Sequence, residues 1–452
     1  MHELETRPRE QPDTVSRPSS LRIAGGLRRL DQRLAKLFGE NQQKNSIAVL
    51  DGVRALACLL VISFHISLMT SDQKIWDPLA LPIMGAIGTA GGSGVTLFFV
   101  LSGFLLFLPY AKALLFKGPL PQARLFYMRR AFRIIPGYYV SLFLIILLFQ
   151  PQYLQVNHLR ELLLFMSFFM DSTPETFRQL NGPYWTLAVE WQFYLLLPLL
   201  AAGLYLLAWR IPQRWRLRAV LCELVGVIAW ALFLRYWGFY FLSHPGQTFL
   251  VPRAVLNVAL FFLHGMDGKF LEDFTVGMLI SVCYVFAQRA PAGSGFTQRL
   301  ARWSPWLLAG GILMLLFMAL WHFNHDSHGI ALLNALLPAY DVLSELGFAL
   351  GYGACVAALL FGSHYLRRPF EWRYLRWIGL ISYSLYVWHL VLLVLFKAYI
   401  QHFLPALNGV VAYSSYWLFL LLVVLPCATL SYALVEKPWM RVGDLLRRPR
   451  ST

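Results

Sequence analysis

Ten long apolar stretches dominate this 452-residue sequence and constrain its fold more than any other feature. A helix that crosses the hydrocarbon core of a bilayer needs roughly 20 mostly apolar residues. Stretches of that kind lie at 48–70, 94–111, 132–149, 186–209, 219–239, 271–288, 304–321, 342–362, 378–396 and 414–435. Shorter apolar segments at 162–170 and 255–264 indicate interfacial or re-entrant pieces. The pattern predicts an all-α, polytopic integral membrane protein with about ten transmembrane helices.

The net charge of +16 is explained by where the basic residues lie. Only 14% of the residues are charged and 58% are apolar, which argues against a soluble enzyme, a disordered chain and a nucleic-acid partner. With the N-terminus inside, 31 of the 39 Lys and Arg residues fall in cytoplasmic segments and six in outside loops, while Arg54 and Arg235 fall within spans. This asymmetry follows the positive-inside rule. It predicts cytoplasmic termini and a lipid bilayer as the partner.

The chain divides into three regions by composition. Residues 1–45 predict a cytoplasmic tail that is disordered at its polar, proline-rich start and then forms a basic amphipathic helix over 21–38. That helix suits an anionic leaflet, with docking on the protein's own loops as the alternative. We predict that residues 46–440 form the ten-helix membrane domain. We predict that residues 441–452 form a basic cytoplasmic tail.

The first span carries two ionisable residues on one helix face. Arg54 and His65 are eleven positions apart, which is three helical turns plus about 20° and about 16 Å along the axis. Ionisable residues inside a bilayer are costly and point to function. Neutral imidazole takes up a proton near pH 7, so His65 is a candidate base. The alternative is a buried histidine that is satisfied by a neighbouring backbone or hydroxyl group.

Polar residues also mark the second and third spans. Ser102 lies near the middle of the second span, where it can bond a substrate or a neighbouring helix. Gly94 and Gly103 predict close helix packing there. Arg130 and Arg133 share one face at the start of the third span, and two guanidinium groups suit a phosphate-bearing ligand. Ordinary anchoring at the cytoplasmic surface is the alternative for this pair.

The fourth span places Glu190 at about the same depth as His65, in an antiparallel helix. Arg235 and Glu345 come out at similar depth, and His389 lies slightly deeper. Five ionisable residues in one layer predict a polar chamber open to the outside. A direct bond between His65 and Glu190 is a hypothesis from matched depth only. A structural ion pair between Glu190 and Arg235 is the alternative.

No residue pattern predicts a metal or disulfide framework. None of the five cysteines forms a CxxC pair, and all lie in apolar stretches. The His322, His325 and His328 group lies in an outside loop, where a solvated polar loop is favoured over a metal site. We therefore expect no metal cofactor.

Several segments together resemble acyltransferase family 3, the membrane proteins that O-acylate sugars and other hydroxyl compounds. The matching pieces are the Arg54 to His65 spacing, LFFVLSGFLL (97–106), RRAFRIIP (129–136), YWTLAVEWQFYLLLP (184–198) and ISYSLYVWH (381–389). They occur in family order. One departure is Trp191, where the family often has a second acidic residue. Some members carry a fused extracytoplasmic hydrolase-like domain, and we expect no counterpart of it here.

The resemblance implies a donor, an acceptor and a set of roles. The donor is acyl-CoA, with acetyl as the commonest group, held from the cytoplasmic side by Arg130 and Arg133. The acceptor is a hydroxyl of a cell-envelope glycan or lipid-linked sugar, and the location is the bacterial cytoplasmic membrane. Our assignments are His65, Glu190 and Arg54 as catalytic residues, Arg130, Arg133 and Ser102 as donor-binding residues, and Asp51, Tyr184, Trp185, Arg235 and His389 as acceptor-binding residues.

Two questions of mechanism and class stay open at this point. His65 acts either as a general base or as a transient acyl carrier, and Arg54 either contacts the donor or stabilises Asp51. The acceptor is alternatively a small secondary metabolite such as a macrolide. A lipid-linked sugar transporter is the rival from another class, although no internal repeat supports it.

Overall fold

The computed structural model describes residues 47–71, 82–248, 250–289, 295–400, 403 and 409–446, and every regular element in these ranges is a helix. Ten helices are long and apolar enough to cross a membrane. They are α1 (Ala48–Met69), α2 (Gly85–Phe116), α3 (Ala123–Phe149), α4 (Tyr184–Trp209), α5 (Gln213–Ser243), α6 (Leu271–Arg289), α7 (Gly295–Ser327), α8 (Leu337–Phe361), α9 (Ser382–Ile400) and α10 (Gly409–Leu445). The predicted all-α fold with ten spans is confirmed.

Several helices are longer than the apolar stretches that predicted them. α5 has 31 residues and α7 has 33, although about 20 residues suffice to cross the hydrocarbon core. Backbone hydrogen bonding continues into the polar ends, which a count of apolar residues does not register. The two shorter apolar segments form the short helices Leu159–Met166 and Arg253–Leu263.

The predicted tails lie largely outside the described residues. The amphipathic helix over 21–38 and the remainder of residues 1–45 fall in that part, so these interpretations stay predictions. The helix α10 runs to Leu445, five residues past the predicted domain boundary at 440. Near the end of this helix, the ring of Trp439 stacks on Phe132 of α3, with 6.1 Å between ring centroids.

Glycines allow α2 to pack closely on its neighbours. A Cβ at Gly103 would lie 1.9 Å from the Phe274 carbonyl oxygen, and one at Gly277 would lie 2.0 Å from the Val100 carbonyl oxygen. Both positions therefore require glycine for backbone contact between α2 and α6. Gly94 plays the same part against α1, so the packing role predicted for Gly94 and Gly103 is confirmed.

The N-terminal end of α1 is fixed against the short helix Arg373–Leu380. A Cβ at Gly379 would lie 1.8 Å from the Asp51 carbonyl oxygen, so the two backbones touch. This contact places Asp51 and Arg54 at a defined position beside the start of α9. The other end of α1 carries His65, one turn before the helix ends at Met69.

α10 contains two π-helical turns, Leu420–Val424 and Tyr432–Glu436. Such turns occur frequently at functional sites because they re-aim side chains within a helix. Here the second turn buries the Glu436 carboxylate, which accepts a hydrogen bond from Ser384 of α9. α9, which carries His389, is thereby tied to α10.

Candidate functional site

Two cavities are stacked along α1. The first, which we call the arginine cavity, has a volume of about 280 Å³ and lies between α1, α2, α3, α4 and α9. Its polar lining consists of Arg54, Ser102, Arg130, Arg133, Thr186, Glu190, Tyr194, Ser382, Tyr383 and Tyr386. Three guanidinium groups face one carboxylate, which makes this cavity suited to an anionic ligand.

The Asp51 carboxylate lies between two arginines. It is 3.6 Å from Nη1 of Arg54 and 3.8 Å from Nη2 of Arg376, and the residue is buried. Asp51 does not line the arginine cavity, and its predicted contact with the acceptor stays a prediction. The i, i+3 spacing on α1 brings the two side chains together.

Arg130 and Arg133 enter the arginine cavity from one face of α3, as their spacing predicts. The Arg130 guanidinium lies over the ring of Tyr194, 5.8 Å from its centroid. An aromatic face attracts a cation and orients it without neutralising its charge. Arg130 is thus positioned while its positive charge stays available to a ligand.

Glu190 belongs to the arginine cavity and does not bond His65. Its Oε1 accepts hydrogen bonds from Ser102, at 2.9 Å, and from Tyr194. The hypothesis of a His65–Glu190 bond is wrong, because residues at equal depth can point into different cavities. The alternative pairing with Arg235 is not formed either. Ser102 lies in the cavity wall, where its hydroxyl orients Glu190.

The second cavity, the His65 cavity, has a volume of about 500 Å³. It has three carboxylates, whereas the arginine cavity has one. The carboxylates are those of Asp267, Asp326 and Glu345, and the aromatic lining consists of Phe64, Trp185, Phe270, Tyr340, Phe348 and Tyr386. Carboxylates accept hydrogen bonds from hydroxyl groups, so this lining suits an uncharged polyhydroxyl ligand.

Hydrogen bonds around His389 fix the protonation pattern of His65. His389 Nδ1 lies 2.7 Å from the Tyr386 carbonyl oxygen, which only accepts, so this nitrogen carries the hydrogen. His389 Nε2 is then an acceptor, and it lies 3.2 Å from Nδ1 of His65. His65 Nδ1, which is also 2.9 Å from the Val61 carbonyl oxygen, is therefore the donor. The lone pair of the neutral His65 ring is left on Nε2.

This arrangement bears on the role expected of His389. The residue is fully buried and lines neither cavity, and its predicted contact with the acceptor stays a prediction. Its observed side-chain contact is with His65.

Trp185 lines the His65 cavity as predicted, whereas Tyr184 does not. The Tyr184 hydroxyl bonds Ser141 at 2.8 Å in the helix core, because adjacent residues of α4 point in different directions. Arg178 lies over the Trp185 ring at 5.7 Å and pairs with Asp267 at 3.4 Å. Arg178 is a cavity residue that the sequence analysis missed.

Arg235 pairs with Glu272 at 2.7 Å, and both side chains are buried. It lines neither the arginine cavity nor the His65 cavity, and its predicted contact with the acceptor stays a prediction. The five ionisable residues that predicted a single polar chamber do not share one cavity in the structure. Only His65 and Glu345 line the same cavity, and Glu345 accepts a hydrogen bond from Thr96 at 2.8 Å.

The predicted polar loop around His322 and His325 is helical instead, because α7 runs on to Ser327. His322 bonds the hydroxyl of Tyr340, and His325 stacks on the same ring with 4.2 Å between centroids. Among the described residues, no group of three or more His, Cys, Asp or Glu side chains could hold a metal ion.

The two cavities meet at Val95 and Tyr386, which line both of them. The Tyr386 hydroxyl is held by Thr186 at 2.9 Å, and Phe98 packs edge-on against its ring at 5.7 Å. This tethered ring stands between the arginines and His65. The sequence analysis missed Tyr386 as a site residue, although it lies in the 381–389 segment that carries the resemblance.

Comparison with known proteins decides the family. Residues 47–436 match the family model that is described as an acyltransferase domain. The chain belongs to acyltransferase family 3. The family assignment made from the motifs, and the acyltransferase class that goes with it, are thereby confirmed. No solved structure matches the chain.

Two curated relatives of this family 3 protein are peptidoglycan enzymes by name. One is YrhL of Bacillus subtilis, provisionally named a peptidoglycan O-acetyltransferase, which is 25% identical over 425 residues, covering 89% of this chain and 56% of the relative. The other is the peptidoglycan O-acetyltransferase OatA of Listeria monocytogenes, 24% identical over 383 residues, covering 75% of this chain and 48% of the relative. The chain spans about half the length of these relatives.

Proposed function

We propose that this protein is an O-acyltransferase that moves an acyl group, most simply acetyl, from acyl-CoA to a hydroxyl of a cell-envelope glycan or lipid-linked sugar. The observation that carries the proposal is the meeting of the two cavities at Val95 and Tyr386. A donor in the arginine cavity and an acceptor in the His65 cavity would meet there. The names of the relatives support an acetyl group and a glycan.

The arginine cavity is the proposed donor site. Coenzyme A carries several phosphate charges, and Arg54, Arg130 and Arg133 supply three guanidinium groups. The distribution of basic residues supports a cytoplasmic position for this end, in the bacterial cytoplasmic membrane, with both termini on the same side. The thioester would then point along α1 toward His65.

In the base mechanism, His65 Nε2 takes the proton of the acceptor hydroxyl. The oxygen attacks the thioester carbonyl carbon, the C–S bond breaks, and the coenzyme leaves as a thiolate that receives the proton from His65. Glu190 and Arg54 act in the donor cavity, where Glu190 is oriented by Ser102 and Tyr194. Arg54 is positioned to bind the donor's polar groups.

In the carrier mechanism, His65 Nε2 itself attacks the thioester carbonyl carbon. The C–S bond breaks, the thiolate leaves, and the ring becomes an acyl-imidazolium. The acceptor oxygen then attacks the acyl carbon, the bond from that carbon to Nε2 breaks, and the hydroxyl proton goes to the thiolate, which leaves His65 neutral. This route moves an acyl group past Tyr386 without moving the whole coenzyme. Incubation with radiolabelled acetyl-CoA alone separates the mechanisms, since acylated His65 is trapped only in the carrier route.

His389→Leu is expected to lower kcat by about 100-fold with little change in KM, because His65 Nδ1 keeps only the Val61 carbonyl oxygen as acceptor and the ring loses the side chain that fixes its direction. His389→Gln offers a carbonyl oxygen in place of Nε2 and is expected to restore part of kcat. The pH profile of kcat should shift in the leucine variant and stay close to that of the wild type in the glutamine variant. Equal profiles for the two variants would assign His389 a packing role only.

Tyr386→Ala is expected to widen the boundary between the cavities and relax the choice of acyl group. The ratio of kcat/KM for propionyl-CoA to that for acetyl-CoA should rise on the order of ten-fold, because propionyl is one methylene longer and a hydrophobic site discriminates by about that much per methylene. Tyr386→Phe keeps the ring and serves as the matched control, with a ratio near that of the wild type. An unchanged ratio in Tyr386→Ala would place the boundary elsewhere.

The activity itself is tested by free coenzyme A release and by mass spectrometry. Purified protein with acetyl-CoA and a glycan acceptor should release free coenzyme A, which a transporter would not do. Surface glycans from cells with the gene should carry an acyl mass that is missing when the gene is deleted. A glycan profile that does not change, together with transfer to a small secondary metabolite, would instead favour the alternative acceptor class.

A further inference from the structure

A third cavity opens sideways between α4, α5 and the start of α6. We call it the lateral groove, and its volume is about 450 Å³. Its rim consists of apolar side chains that are exposed on the helix surface: Leu195, Leu196, Leu199, Trp230, Phe262 and Leu263. Exposed apolar residues on membrane-crossing helices face hydrocarbon, so this opening is directed into the bilayer.

The length of the lateral groove matches one leaflet. Along α4 its lining runs from Val189 to Leu199, which is ten residues or about 15 Å. The hydrocarbon core of a bilayer is about 30 Å thick, so 15 Å is the depth that one lipid chain covers. The groove therefore fits a single alkyl chain that lies parallel to the helices.

The other end of the lateral groove is polar, and its charges are paired. Arg235 bonds Glu272 at 2.7 Å, and Lys269 bonds Asp171 at 2.5 Å. Burial lowers the pKa of His264 to about 4, so this histidine is neutral at pH 7. With the described cations of this end already paired, an uncharged hydroxyl headgroup suits it better than a lone phosphate.

One hydrogen-bond donor at this end has no partner within the described part of the protein. Arg235 donates through Nε to Glu272 and through Nη1 to the Asp267 carbonyl oxygen at 3.4 Å, which leaves Nη2 unused. A buried N–H without an acceptor is unfavourable, and a headgroup hydroxyl that moves in from the groove can supply the acceptor.

A single aromatic ring separates the lateral groove from the His65 cavity. Phe270 lines both of them. Its ring is held by Arg235, whose guanidinium lies 4.8 Å from the ring centroid, and by Trp185 at 5.4 Å. A headgroup at the polar end of the groove is therefore one side chain away from the cavity that contains His65.

We propose that the lateral groove binds the alkyl chain of a lipid-linked acceptor and delivers its hydroxyl-bearing headgroup past Phe270 into the His65 cavity. This inference rests on the proposed function and narrows its acceptor to one that is anchored in the membrane. The chain stays in the bilayer-facing groove while the headgroup reacts, so the acceptor does not have to leave the membrane.

The test uses dodecyl glucoside with a photoreactive diazirine in its chain, added to the full chain in phospholipid nanodiscs. Adducts located by mass spectrometry are expected on the groove rim and should fall at least five-fold in Leu199→Trp, which fills the groove. Leu206→Trp is the matched control, because Leu206 and Leu199 are 72% and 70% exposed on the same helix and only Leu199 lines the groove. Labelling in the control should equal that of the wild type.

A phospholipid that carries the same diazirine identifies the competing occupant. Equal labelling of the groove by both probes, or equal labelling in the two tryptophan variants, would overturn the proposal. Either result would mean that the groove contacts ordinary membrane lipids without selecting the acceptor. Free coenzyme A release from acetyl-CoA is measured on the same samples. If Leu199→Trp loses groove labelling but still releases coenzyme A at the wild-type rate, the groove proposal alone is overturned. Absence of release in the wild type would overturn the proposed function.

Discussion

His65→Ala is expected to lower kcat for acyl transfer by about 10³-fold, the range that a positioned general base contributes. The reason is geometric. The Val61 carbonyl oxygen and Nε2 of His389 both accept from Nδ1 of His65, so Nε2 of His65 is the atom with a lone pair for the acceptor proton or the acyl group. Alanine removes this atom, and no other side chain bonds His389 in the same way among the described residues.

The measurement for His65→Ala is the initial rate of acetyl transfer by purified protein, with the amount in the membrane checked by blotting. His322→Ala is the matched control, since His322 lines the same cavity but bonds Tyr340. The control should keep most of the wild-type rate. Retention of most activity in His65→Ala would remove the catalytic assignment.

Arg130→Ala combined with Arg133→Ala is expected to raise the KM for acyl-CoA by at least about 100-fold, with little change in the KM for the acceptor. A hydrogen bond to a charged group contributes about 1.5–3 kcal/mol, so losing two is a large effect on donor binding. Both guanidinium groups line the arginine cavity and neither lines the His65 cavity. Steady-state kinetics with each substrate varied in turn measures the two constants.

Two further variants test whether the effect is specific to the arginine pair. Arg124→Ala removes a basic residue from the same helix outside the arginine cavity and should leave both constants near the wild-type values. The double lysine variant keeps the charge but loses the planar pair of donors, so its donor KM should fall between the wild type and the double alanine variant. Equal increases in both KM values would place the arginines outside the donor site.

The position of each residue along its helix can be estimated from the sequence, but the direction of its side chain around the helix cannot. Arg54 and His65 lie on one helix, so their spacing alone predicts a shared face, and both line cavities. Glu190 and Arg235 lie on other helices, and matched depth does not say which neighbour they face. Glu190 turns to Ser102, and Arg235 turns to Glu272.

The boundary between the cavities could not be predicted for a similar reason. In the sequence, Tyr386 is one of many aromatic residues in apolar spans and has no distinguishing pattern. Its position in the wall between the cavities follows only from the structure, in which it bonds Thr186 and lines both cavities. The π-helical turn that aims Glu436 at Ser384 is also invisible to a 3.6-residue pattern, because it adds a residue to one turn.

The central claim is that an acyl group passes between two cavities that meet at Tyr386 and contain Arg54 and His65, which lie toward opposite ends of α1. Vesicles with the protein in one known orientation test it most directly, with acetyl-CoA on one side and a glycan acceptor on the other. The account predicts acylated glycan when acetyl-CoA is on the side of Arg54, Arg130 and Arg133 and the acceptor is on the side of His65. Transfer only when both substrates share one side would contradict it.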